Sequence, residues 1–238
     1  MANDGTPPGD WSGSGAERPP ARHVAARSYD APVLEEVDDV PLYGLDIETD
    51  TTTDGLDPSR SAVVAVAIAG PGADAVLDLG DPTTAGPVTP ADEAALLRRL
   101  DDRLRDLAPG VLVTWNGRGF DLPFLRARAD RLGVPIGLTT DDRTGESSWF
   151  DHRHLDGLRP YRADVGRTFG LSCGLKALAR LVGERPVEVD RERIHELGRR
   201  ELHDYVLSDA RLARSLVARR WPQIARWVDR AAVPDLGA

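Results

Sequence analysis

A single cysteine, Cys173, stands in 238 residues. It excludes an intrachain disulfide and points to a reducing compartment, with the cytoplasm as the expected setting. Long apolar runs are missing as well. The longest, Ala62 to Ala69, is far short of the ~20 residues that span a bilayer. No basic region followed by an apolar core opens the chain, so neither a membrane partner nor a secretory signal is expected. Aromatic residues are few, at 5%, and Lys176 is the only lysine among 30 basic side chains. Arginine's planar fork suits bidentate phosphate contacts, although a compositional bias of the genome would leave the same mark.

The net charge of −9 argues at first against a polyanionic partner. Its distribution softens that. Residues 1–110 carry 8 basic and 21 acidic side chains, whereas residues 111–238 carry 22 and 18. The charge is compatible with nucleic acid without establishing it.

Residues 1–38, rich in Gly, Pro, Ser and Ala and without periodicity, are expected to be a disordered tail. Residues 39–238 are expected to form one domain. It opens on Pro41-Leu42-Tyr43-Gly44-Leu45-Asp46-Ile47-Glu48-Thr49, a strand on which Asp46 and Glu48 share one face and Leu45 and Ile47 the other. Two carboxylates that close resist burial unless a cation sits between them, and a hard divalent ion such as Mg²⁺ takes oxygen ligands of this kind. Strands at 62–69 and 75–79 follow. Thr89-Pro90-Ala91-Asp92 reads as the cap of a helix running to about Leu107. A fourth strand, 111–115, leads into Asn116-Gly117-Arg118-Gly119-Phe120-Asp121 and a helix to about Leu132. The chain from 137 to 147 reads as loop, 148–155 as a last strand, and 172–182 and 190–221 as helices, the second broken near Gly198. This order describes an α/β domain with helices on both sheet faces.

Asp121 opens a helix directly after a strand, where ligands collect in open α/β sheets. Tyr205 and Asp209 stand four apart on a helix, so a phenol and a carboxylate lie side by side. His152, His154 and Asp156 share one strand face, but no fourth ligand stands at a recognisable spacing, which argues against a separate metal site.

In this order, Asp46-Ile47-Glu48-Thr49, Asn116-Gly117-x-x-Phe120-Asp121-x-Pro123-Phe124-Leu125 and Tyr205-x-x-x-Asp209 closely resemble the three motifs of the DEDD superfamily of 3′–5′ exonucleases. The match is to the tyrosine-type branch, which includes proofreading domains of family B DNA polymerases. The sister branch has a histidine five positions before the last aspartate, where this chain has Asp204. The resemblance spans about Leu42 to Leu216 and takes in Gly55-Leu56-Asp57-Pro58 and Gly174-Leu175-Lys176-Ala177-Leu178-Ala179. It implies a ribonuclease H-like fold, with a mixed five-stranded sheet whose second strand is antiparallel.

The resemblance also implies a metal-dependent exonuclease. Its substrate would be the 3′ end of single-stranded nucleic acid, DNA favoured, and its products nucleoside 5′-monophosphates. Asp46, Glu48, Asp121 and Asp209 would hold two divalent ions, Mg²⁺ or Mn²⁺, and Tyr205 would hydrogen-bond the attacking water. A phenol with a free pKa of about 10 is a poor base at neutral pH, which fits an orienting role. Asn116 and Phe120 are expected beside the terminal nucleotide, with Thr49 contacting it through backbone or hydroxyl. The alternatives are an exoribonuclease using the same site and a non-catalytic nucleic-acid-binding or scaffolding module of the same fold. No protein partner is named by the sequence.

Overall fold

The computed structural model describes residues 40–229 apart from Thr53, Ala73 and residues 80–88; the expected tail at 1–38 lies outside the described residues. Seven strands form one mixed sheet in the order β3-β2-β1-β4-β7-β6-β5. They are β1 (Leu42–Thr49), β2 (Val63–Ala69), β3 (Ala75–Asp78), β4 (Val111–Thr114), β5 (Leu138–Thr140), β6 (Ser147–Trp149) and β7 (His152–Asp156). β1 pairs antiparallel with β2 and parallel with β4, and β4 pairs parallel with β7. The expected five-stranded core with its antiparallel second strand is therefore present as β3-β2-β1-β4-β7.

The count of five needs correction to seven. Residues 138–140 and 147–149, where a loop and the start of one long strand were expected, instead form the β5–β6 hairpin. A turn then leads into β7, with Phe150 in the left-handed region at φ 50°. The hairpin is polar in sequence because side chains tie it down. The Thr139 and Ser148 hydroxyls lie 2.8 Å apart across it. Asp101 of the neighbouring helix accepts hydrogen bonds from Gly137 N at 2.6 Å and Trp149 Nε1 at 2.8 Å.

Helices cover both faces. On one lie α1 (Pro90–Asp106) and α2 (Asp121–Leu132), packed on Leu45, Ile47, Val66 and Ile68. Thr89 caps α1 as expected, in a reciprocal box with Asp92. After β7, α3 (Leu158–Tyr161) continues through a π-helical stretch, Arg162–Gly166, into α4 (Arg167–Phe169). Then come α5 (Leu175–Leu181), a 3-10 turn (Arg191–Glu196), α6 (Arg199–Ala218) and α7 (Trp221–Ile224). Gly198 separates the 3-10 turn from α6, where the break was expected. No helix among the described residues is long and apolar enough to cross a membrane.

The approach of α6 to the sheet is set by small side chains. Ala65, Ala67 and Ala69 of β2 form one cluster with Val206 and Ala210 of α6. An added Cβ at Gly44 of β1 would fall 2.0 Å from the Ala210 carbonyl oxygen, so only glycine lets the helix lie this close. Alternation along β1 then aims Asp46 and Glu48 at α6 while Leu45 and Ile47 fill the opposite core.

Two buried ionic clasps hold the frame. Glu93 of α1 accepts from Arg128 Nε at 2.8 Å and Nη2 at 2.5 Å, and from the Val63 amide at 2.9 Å. Arg128 Nη1 reaches the Pro58 carbonyl at 2.8 Å, which ties the loop after β1 to both helices. Breaking such a pair strands a buried charge. Glu93→Ala should therefore cost about 3 kcal/mol in chemical unfolding, whereas a value near zero would show the pair to be dispensable. The second clasp is Asp229, itself buried. It accepts from His154 Nδ1 at 2.9 Å and the Ser147 amide at 3.1 Å, donates its own amide to His154 O at 2.7 Å, and faces Arg118 Nη1 at 3.5 Å.

Candidate active site

The two central strands run parallel, and β1 is the longer. β1 pairs with β4 only through Leu42–Gly44, so its last residues run on beyond that pairing. There a register shift between Glu48 and Thr49 bends the strand end. Asp46, Glu48 and Asp209 meet at this point, each offering an oxygen within 4.8 Å of the others. Asp121 stands beside them at the start of α2, close enough to Asp46 to raise its pKa. It lies outside the tight group of three, with the Ile47 amide donating toward its carboxylate.

These carboxylates are frustrated. Solvent reaches part of Asp46 and Glu48, yet lost hydration is the largest influence on each of them. Asp46 is held well above the usual carboxylate range by desolvation and then by Glu48, Asp121 and Asp209. Glu48 is pushed up to about 8 by burial and the charge of Asp209. Asp121 rises to about 7 through burial and the nearby Asp156, against the pull of its amide donors. Asp209 is raised by burial, in part offset by Lys176 and Arg191.

Tyr205 is fully buried, and its phenol lies one helical turn from Asp209. Among the described residues, no group reaches its Oη, or Asp209 Oδ1, in good hydrogen-bond geometry. Arg191 and Asp209 are nonetheless near enough to the phenol to perturb it. Burial and the charges of Glu48 and Asp209 push the phenol's pKa up, so it stays protonated at neutral pH.

Two cations missed by the sequence reading complete the site. Lys176 Nζ lies 4.0 Å from the centre of the Tyr205 ring and 3.5 Å from Asp209 Oδ2, and donates to Val187 O at 2.9 Å. Being the single lysine, inside a stretch already matched to the family, was the available signal. Arg191 lies on the 3-10 turn and acts on Glu48, Asp209 and Tyr205. Nothing in its sequence neighbourhood marks it. The turn is tied to the loop leaving β1, where Thr51 Oγ1 lies 2.8 Å from His195 Nδ1.

The other expected residues are placed as follows. Asn116 is exposed and left-handed at φ 75°, a conformation asparagine tolerates, with its amide donating to Asp156 Oδ1 at 2.9 Å. Gly117 follows because a Cβ there would lie 2.2 Å from Thr114 Oγ1. Phe120 is half-buried and stacked obliquely on Phe124 at 5.3 Å. Thr49 is buried at the end of β1, opposite Val63, and its hydroxyl donates to Gly55 O at 2.6 Å. His152, His154 and Asp156 are structural. His152 Nε2 bonds Leu104 O at 2.7 Å, His154 sits between Thr114 and Asp229, and Asp156 accepts from Asn116 and Leu158 amides.

The sequence model for the exonuclease domain of DNA polymerase family B matches residues 30–150. The chain belongs to this family. The matched span includes Asp46, Glu48 and Asp121, while α6 lies beyond it. DNA polymerase epsilon catalytic subunits A of Eremothecium gossypii and Saccharomyces cerevisiae are each 35% identical over 127 residues, half of this chain and 6% of theirs. DNA polymerase 1 of Pyrococcus abyssi is 36% identical over 52 residues, 22% of this chain and 7% of that protein. The chain thus spans a small fraction of the curated relatives it matches. The family B DNA polymerase of Pyrobaculum calidifontis superposes with a TM-score of 0.62 at 24% identity. That likeness covers 77% of this chain and 25% of the polymerase, and shows that this family B exonuclease-type domain shares its fold.

Proposed function

We propose that this domain is a 3′–5′ exonuclease of the tyrosine type that hydrolyses the terminal phosphodiester of single-stranded nucleic acid, DNA in preference to RNA, releasing nucleoside 5′-monophosphates. The observation that carries it is the meeting of Asp46, Glu48 and Asp209, with Asp121 beside them, as mutually repelling carboxylates. Such a donor set, all oxygen and short of positive charge, fits hard divalent cations, Mg²⁺ or Mn²⁺. Bound in a pair, ions of this kind supply charge to both the attacking and the leaving oxygen and make hydroxide accessible near neutral pH. The family's polymerase membership supports DNA as the substrate.

The chain's own residues do the rest. Tyr205 keeps its proton and offers a fixed O–H and oxygen lone pair to a water beside Asp209. Lys176, against the phenol ring and Asp209, holds both in place. Asn116, Phe120 and the Thr49 backbone border the space for the terminal nucleotide. Tyr205→Phe removes the hydroxyl without disturbing the packing of the ring. Turnover should fall roughly 10- to 100-fold, the scale of a misplaced reactant, with thermal stability kept; an unchanged rate takes the phenol out of the mechanism.

The test of the function is chromatography of products from 5′-labelled DNA and RNA strands, with Mg²⁺ or Mn²⁺ and with EDTA. Mononucleotides released stepwise from the 3′ end, faster from DNA and abolished by EDTA, are expected. Intact strands under all metal conditions, or internal cuts, would overturn the reading.

A further inference from the structure

Beyond the carboxylates, a second surface faces outward next to the site. Phe169, one of four phenylalanines in the chain, is 68% exposed, and Leu171 is 44% exposed. Single exposed apolar side chains are ordinary. Here two flank Gly170, whose left-handed backbone at φ 65° turns the chain, and a Cβ added at Gly170 would meet nothing within 4 Å. Arg162 and Arg167, both exposed, precede them, and neither has an ion-pair partner among the described residues. Arg162 opens a π-helical stretch, a distortion frequent at functional positions.

This surface is anchored to the site at both ends. α3 begins directly after β7, at the end of the sheet where β1 and β4 also stop. Beyond Leu171, the Cys173 carbonyl accepts from Trp115 Nε1 at 3.0 Å, immediately before Asn116 and Gly117. The next residues start α5 and deliver Lys176 to Asp209 and Tyr205. Unpaired arginines leading to an exposed aromatic ring match what a single strand requires, since phosphates seek the cations and any base can stack on the ring.

We propose that the strip from Arg162 to Leu171 is the track for the single strand behind its 3′-terminal nucleotide, with a base stacked on Phe169 and phosphates met by Arg162 and Arg167. The track rests on the reading of the carboxylate cluster as the place of hydrolysis, and it adds the path by which the rest of the substrate is held. An acidic surface elsewhere on the protein then does not oppose binding, because the phosphates meet Arg162 and Arg167 while the one carboxylate between them, Asp164, is paired with Arg220.

The test is fluorescence anisotropy with the full chain in EDTA, using labelled dT12, dT6 and dT2, and rU12 beside dT12. Phe169→Ala should weaken binding of the preferred 12-mer about tenfold, the scale of one stacked base, with the loss shrinking as the strand is shortened. Phe169→Trp should restore tight binding, as stacking requires and a packing role for phenylalanine does not. Replacing Arg162 and Arg167 together by alanine should flatten the salt dependence of Kd by about one to one and a half logarithmic steps per decade, about 0.7 for each lost phosphate contact. Equal Kd for wild type and Phe169→Ala on both 12-mers, with melting curves that coincide, would overturn the track. Hydrolysis in Mg²⁺ alongside that result would leave the proposed reaction intact. Conversely, a Phe169-dependent Kd without hydrolysis would overturn the reaction and leave the track standing.

Discussion

Asp46→Ala should lower hydrolysis of a single-stranded oligonucleotide at least about 10³-fold in saturating Mg²⁺, because an oxygen central to the carboxylate cluster proposed to hold the ions is lost and ion charge is worth several kcal/mol in phosphodiester displacement. Asp46 is the choice because its carboxylate feels Glu48, Asp121 and Asp209 at once. The same substitution has a second, opposite consequence. Removing one of several crowded carboxylates relieves their repulsion, so the metal-free variant should unfold at a higher temperature than wild type near pH 8. Calorimetry with EDTA, paired with product analysis in Mg²⁺, checks both. Wild-type activity would remove Asp46 from the reaction. A lower melting temperature would mean that the carboxylate serves the fold instead, and lost activity could then not be assigned to ion binding.

Metal-free protein should lose on the order of a few kcal/mol of stability as pH rises from about 5 to about 8.5. The sign follows from the direction of the shifts. Asp46, Glu48, Asp121 and Asp209 all have folded pKa values above the ordinary carboxylate value, with Glu48 near 8 and Asp121 near 7. Between the unfolded value near 4 and those folded values, the folded state holds more protons than the unfolded one. Stability therefore falls with rising pH through that window and levels once the cluster has ionised. The opposite contributions, from lowered carboxylates such as Asp57, Asp92 and Glu184, are lost only as pH falls through their own depressed pKa values, below this window. Saturating Mn²⁺ should erase the alkaline decline and release protons on binding near pH 7, because ligand oxygens must be deprotonated. Denaturant titrations at four pH values, with EDTA and with Mn²⁺, measure it. A stability that is flat or rising with pH in EDTA would show the carboxylates to be hydrated and unstrained.

How far the sequence foretold this varies with the kind of interaction. The strand carrying Asp46 and Glu48 was legible because a period of two separates Leu45 and Ile47 from the acids with no help from other segments. The start of α1 was legible through Thr89, Pro90 and Asp92, which act within one turn. The β5–β6 hairpin was not, since Ser147, Ser148, Thr139 and Thr140 carry little apolar patterning and owe their place to Asp101, more than thirty residues away. The tendency of His152, His154 and Asp156 to look like ligands had the same cause. Apart from the Leu158 amide two residues beyond Asp156, their partners are a carbonyl on α1, a hydroxyl on β4, Asp229 and the Asn116 amide, none visible from local spacing. Lys176 and Arg191 reach the carboxylates only because α5 and the 3-10 turn fold across the end of β1, a juxtaposition made by tertiary packing.

The clasp at Asp229 bears on where this domain can be cut. That residue comes after α7, in a stretch with no catalytic motif, and a trimming guided by motifs alone would discard it. A fragment stopping at Val228 would deprive His154 Nδ1 and the Ser147 amide of their acceptor deep in the protein, and would free Arg118 from its carboxylate within the Asn116–Asp121 segment. Loss of the proposed nucleolytic activity in such a shortened fragment would then report a missing tether, and laboratory versions of the domain should retain Asp229.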